Sequence, residues 1–97
     1  MDRLTVIAKI KSKSGSETML HRQLLELIAP TLAEEGCLNY DLHRSIEDDT
    51  LFLFYENWAN KSLWEQHMKS KHIKVFEQKT TEMIEDLELF LMKPELN

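Results

Sequence analysis

Residues 37–58 read CLNYDLHRSIEDDTLFLFYENW. CLNYDLHRS has the composition of a strand, SIEDDT is polar and turn-like, and TLFLFYENW returns as the second arm of a hairpin. On that second arm Leu51, Leu53 and Tyr55 share one face, while Phe52, Phe54 and Trp58 share the other. A strand that is apolar on both sides needs cover on both sides.

Working outward, LTVIAKIK alternates Leu4, Val6, Ala8 and Ile10 against Thr5, Lys9 and Lys11, a strand pattern. SKSGS supplies a turn, with Ser16 placed to cap a helix and Glu17 in its first turn. Apolar residues at 20, 24, 27, 28 and 32 have helical spacing. Pro30 should kink that helix or restart it as a second short one, and Gly36 should end it. Beyond the hairpin, Asn60 caps a helix from Lys61, and Ser70 caps another running from Lys71 to about Glu85. LELFLMK is a fourth strand, stopped by Pro94. The order β-α-β-β-α-β is the ferredoxin-like α+β arrangement, in one domain spanning residues 1–97.

In that arrangement helices cover only one face of the sheet. The other would expose a contiguous apolar patch unless something covers it. Leu87, Leu89 and Leu91 against Phe90 and Met92 repeat the two-faced pattern in the last strand. The expectation is a homodimer, packed through the sheet faces.

Composition narrows the function. Of 97 residues 42% are apolar and 30% charged, with a net charge of −5, which disfavours nucleic acid and anionic membrane surfaces. The opening MDRLTVIAKIKSKSG is too broken by lysines for a signal-peptide core, and no run approaches the roughly 18 apolar residues of a membrane span. Cys37 is alone, so no intrachain disulfide is expected. A cytoplasmic protein is expected. No GxGxxG, GxxxxGK[ST], CxxC or GxSxG occurs, so no flavin, nicotinamide or nucleotide site is signalled.

Residues 54–72, FYENWANKSLWEQHMKSKH, gather the candidate chemistry. His67 lies four after Leu63 and shares its helix face, pointing inward if Leu63 does. His72 falls at a helix start, where the dipole disfavours imidazolium and leaves a neutral ring able to take a proton. Glu56, inside an apolar strand, needs a partner or a cavity. It shares a face with Tyr40 or with Asn39, depending on hairpin register. Trp58 and Trp64 read as core first and substrate stackers second. His67 and His72 are poorly spaced for a metal, with Glu56 as the third ligand such a site would need, so no metal is expected.

The pattern E-x-W followed by H-x(2)-S-x-H, together with TVIAKIK, EEGCLNYDLHRS and the SKH step into a helix, resembles the antibiotic biosynthesis monooxygenase (ABM) family over nearly the whole chain. The resemblance is to its small quinol-monooxygenase-like members. It implies a dimeric α+β barrel with a pocket between sheet and helices. Asn39, Tyr40, Trp58 and Phe76 would bind substrate there, and His67, His72 and Glu56 would carry catalysis. It also implies oxygenation of an electron-rich aromatic by O2 without metal or flavin, through a deprotonated substrate. Haem-degrading relatives carry an Asn on the first strand, and LTVIAKIK has none. Two other functions stay open: a non-catalytic dimeric module binding a small ligand, and an isomerase of an autoinducer-2-like sugar phosphate, for which Arg44 and Lys71 are candidate anchors.

Overall fold

The structure, a computed structural model, describes residues 3–95. Its elements are β1 (Leu4–Ser12), α1 (Glu17–Glu26), α2 (Ile28–Leu32), β2 (Cys37–Arg44), β3 (Leu51–Trp58), α3 (Lys61–Met68), α4 (Lys71–Thr80) and β4 (Ile84–Met92). The strands form one antiparallel sheet in the order β2-β3-β1-β4. This is the expected ferredoxin-like topology, with the helices on one face.

Alternation in β1 buries Leu4, Val6, Ala8 and Ile10 beneath the helices, with Phe52, Phe54 and Trp58 beside them on β3. Leu20, Leu24 and Leu27 from the first helical segment and Ile73 and Phe76 from α4 close the core. The opposite face carries Tyr55, Ile7 and Phe90 in one cross-strand row, with Met92 two residues further along β4. Tyr55, Phe90 and Met92 are exposed.

Local departures from the sequence reading have physical causes. The first helix breaks at Leu27, one turn before Pro30, because proline has no N–H for the Glu26 carbonyl and its ring crowds that group. Ser16 makes no side-chain cap; Glu17 instead accepts from the Gly15 N–H at 2.8 Å. Asn60 and Ser70 do cap, accepting from the N–H of Leu63 and Ile73. Gly36 lies in the turn before β2, beyond the helix end at Leu32. α4 stops at Thr80 rather than Glu85. The Met83 N–H turns back to the Thr80 carbonyl, the Met83 carbonyl accepts from the Lys13 N–H, and pairing with β1 begins at Ile84. Sheet pairing here overrides helical propensity.

Candidate active site

The hairpin register places Tyr40 opposite Glu56 and Asn39 opposite Asn57. Glu56 and Tyr40 therefore face the helices, and Asn39 faces away. A cavity of about 100 Å³ lies between sheet and helices, lined by Tyr40, Phe54 and Glu56 from the sheet and by Trp64, His67 and Phe76 from the helices. Leu87 and Leu89 of edge strand β4 form its mouth, and both are partly open to solvent.

Glu56 is 3% exposed, and its Oε1 accepts a 2.9 Å hydrogen bond from Trp58 Nε1. Burial pushes its carboxyl up to about 7; the Trp58 bond opposes that shift and the negative charge of Glu34 adds to it. Tyr40 stacks on Phe54 with ring centres 4.2 Å apart. Burial, and then the nearby Glu56, push its phenol well up, so it stays protonated. Burial and Glu56 also raise the Cys37 thiol to about 11, which makes it a poor nucleophile.

His67 is almost fully buried. Its ring lies 4.8 Å from Trp58 and meets Tyr40 edge-on. Its Nδ1 is 2.6 Å from Glu34 Oε2, and His72 Nε2 is 2.7 Å from the same oxygen. Burial lowers the His67 pKa, opposed by its contact with Glu34. Glu34 is held by the turn before β2. There Gly36, at φ +84°, lies against the Leu63 side chain of α3, and its carbonyl accepts from the Ala59 N–H. That close approach brings the loop within reach of His67, one helical turn after Leu63.

Of the residues expected at the site, Glu56, Tyr40, His67 and Phe76 line one cavity. His72 lies on the other side of Phe76, in an outer groove with Glu26, Lys71 and Lys79, and is tied to His67 through Glu34. Two expected placements are corrected. Asn39 is on the opposite face, where it bonds to Asp41, the Tyr55 carbonyl and Asn57. It cannot reach the cavity from there. Trp58 has no accessible surface to stack on a substrate, and its indole N–H is bonded to Glu56 instead. Glu56 pairs with Trp58, and Glu34 takes the expected place of a carboxylate beside the histidines. Arg44 is elsewhere, over the Phe52 ring.

Glu34 was not singled out by sequence reasoning. The available signal was an acid just before the glycine that opens β2, together with two histidines lacking an acidic partner.

A model of the family described as antibiotic biosynthesis monooxygenase matches residues 3–79. The chain belongs to the ABM family. It is similar to PA3566 from Pseudomonas aeruginosa, with a TM-score of 0.95 and 31% identity, covering 99% of this chain and 97% of that one. It is 33% identical to Rv0793 of Mycobacterium tuberculosis over 69 residues, 71% of this chain and 67% of that protein. With sll1783 of Synechocystis sp. it shares 25% identity over 83 residues, 86% of this chain but 56% of the other's length. In this ABM protein no helix among the described residues is long and apolar enough to cross a membrane.

Glu34, His67 and His72 also present donor atoms within 4.8 Å of one another, a set a transition metal could use. Two ligands of a tetrahedral zinc, each bonded at about 2.0–2.1 Å, sit roughly 3.3 Å apart. Here both nitrogens touch one oxygen at 2.6 and 2.7 Å, so an ion would have to spread the cluster. The geometry is that of hydrogen bonds.

Proposed function

We propose that this ABM-family protein is a cofactor-independent monooxygenase of a small quinol or polyphenol. The observation that carries the reading is one apolar cavity lined by both a carboxyl that burial pushes up to about 7 and a buried histidine whose pKa burial lowers. A carboxyl pushed up to about 7 can take a proton from a phenol at neutral pH, and so can an unprotonated imidazole. The cavity, at about 100 Å³, is smaller than the roughly 150 Å³ that holds a benzene, so part of a single ring would enter it while the rest lies against Leu87 and Leu89 at the mouth.

A phenolate passes one electron to O2, which a closed-shell phenol does poorly. The aryloxyl radical and superoxide then combine at a ring carbon that bears hydrogen in its keto form. The resulting peroxide anion takes back the proton that the base removed, and the hydroperoxide loses water to leave a carbonyl: one oxygen atom enters the product and the other leaves as water. The Tyr40 phenol, kept protonated, serves as a donor to the anion.

The protein acts as a homodimer through its uncovered sheet face. The apolar row of exposed Tyr55, half-buried Ile7 and exposed Phe90, with exposed Met92 beside it, supports this, because a patch of that kind favours burial.

The test is oxygen uptake and product mass on reduced naphthoquinones by protein stripped of metal and flavin, against a protein-free control. Uptake should exceed the control and fall at least about hundredfold, the scale of a lost general base, in Glu56→Gln with His67→Ala. Binding of the quinol with uptake equal to the control would favour a ligand-binding module instead. A sugar-phosphate isomerase is disfavoured because no Lys or Arg lines the cavity.

A further inference from the structure

We infer that Glu34 is a positioning residue that fixes the tautomer of His67, so that His67, and not His72, presents a basic nitrogen to the cavity. This rests on the reading of the cavity as the reaction site.

An ionised carboxylate only accepts hydrogen bonds. Glu34 Oε2 lies 2.6 Å from His67 Nδ1 and 2.7 Å from His72 Nε2. Both nitrogens must therefore carry hydrogen. A neutral His67 then bears its lone pair on Nε2, for which no hydrogen-bond partner is found among the described residues. His67 lines the cavity and Glu34 does not, so the free nitrogen is the one left for a substrate. The same rule sends the lone pair of His72 to Nδ1. His72 lines the outer groove, where a basic nitrogen meets no enclosed substrate.

Two ring N–H donors on one oxygen also hold the carboxylate in place, and Ser70 Oγ, 3.3 Å from His72 Nε2, lies beside the second of them. His72 is thus the second hold on Glu34. In the proposed reaction the substrate O–H breaks and His67 Nε2–H forms. His67 becomes an imidazolium whose Nδ1–H still points at Glu34, so the new positive charge faces a negative one across 2.6 Å. The other titratable groups around the cluster are Glu56, Tyr40 and Cys37 from the sheet, and Glu26, Lys71 and Lys79 in the outer groove. None of these is found in a hydrogen bond with His67.

The test is nitrogen-15 NMR of the histidine rings in the full chain, with no substrate present. His67 should be an Nδ1–H tautomer and His72 an Nε2–H tautomer at pH 8. In Glu34→Gln, His67 should lose that tautomer or titrate at lower pH, and Glu34→Asp should restore it in part. An Nε2–H tautomer for His67 in the unaltered protein overturns the proposal, and that measurement needs no variant to fold. So does a Glu34→Gln protein whose His67 keeps the same tautomer and titration. If the protein oxidises quinols, kcat should fall about hundredfold or more in Glu34→Gln with KM little changed, as loss of a correctly oriented base does. Absence of oxidation in every form defeats the oxygenase reading, while the NMR result alone decides the tautomer.

Discussion

Trp58 and Glu56 stand two residues apart on β3 and face the same side of the sheet, and the indole N–H of Trp58 donates to the Glu56 carboxylate at 2.9 Å. That bond is the main force lowering the Glu56 pKa against burial. Trp58→Phe should therefore raise the Glu56 pKa above about 7, visible in a carboxyl carbon-13 titration. It should also cost about 1–3 kcal/mol of stability, the penalty for a buried acceptor left unpaired. The loss should be greater at pH 8 than at pH 5, because a bond to the ionised form is the stronger one.

Glu56 also predicts how stability depends on pH. Its folded pKa of about 7 lies above the ordinary carboxyl value of 4.5, so between those values the folded chain holds a proton that the unfolded chain has released. Stability from this group is full below the unfolded pKa and is lost as pH rises through about 7. The whole change is about 3 kcal/mol. His67, lowered by burial, slopes the other way below its unfolded pKa, so the comparison must be with a variant. Urea unfolding of the parent and of Glu56→Gln at pH 5 and pH 8 should show the variant gaining on the parent as pH rises. Parallel curves would mean that Glu56 titrates like an exposed carboxyl.

What could be read in the sequence follows from which forces are local. Alternation in LTVIAKIK and the caps Asn60 and Ser70 act within a few residues, and all appear in the structure as expected. Glu56, Tyr40 and His67 could be nominated because a carboxylate and a histidine inside apolar patterns need somewhere to go. The hairpin register could not be read, because a slip of one residue exchanges Tyr40 for Asn39 beside Glu56. The turn after Arg44 sets that choice, since the register runs unbroken from Arg44 opposite Phe52 to Asn39 opposite Asn57, and nothing in SIEDDT announces it. Glu34 was hidden for a related reason. It meets His67 across 33 residues, through a loop placed by a glycine contact with a different element.

That glycine carries its own prediction. Gly36 has φ +84°, and a Cβ there would stand 2.9 Å from Leu63 Cβ and overlap Leu63 Cδ1. Gly36→Ala should cost more than the roughly 1–2 kcal/mol of the left-handed backbone alone. Leu63→Ala in the same chain should recover part of the loss, so the two substitutions should be non-additive in chemical denaturation. Strict additivity would show that the loop does not rest on α3. The double variant should also loosen the contact between Glu34 and His67, which a change in the His67 titration would report.

The uncovered sheet face gives the last prediction. Tyr55, Ile7 and Phe90 align across β3, β1 and β4, with the Lys9–Glu88 ion pair in the next same-face row toward the other end of the strands. Ile7 is the middle of that row, and its side chain points away from the helix-covered core. Ile7→Glu should leave the fold intact, since it removes no core contact, while setting two carboxylates against each other wherever two copies meet on this face. Sedimentation at micromolar concentration should give twice the 11.5 kDa chain mass for the parent and a single chain for Ile7→Glu. A parent that sediments as one chain would defeat the sheet-on-sheet dimer. A variant that stays dimeric would move the interface elsewhere, and the edge strand β4, with Leu87, Leu89 and Leu91 open on its other face, is where the next substitutions would go.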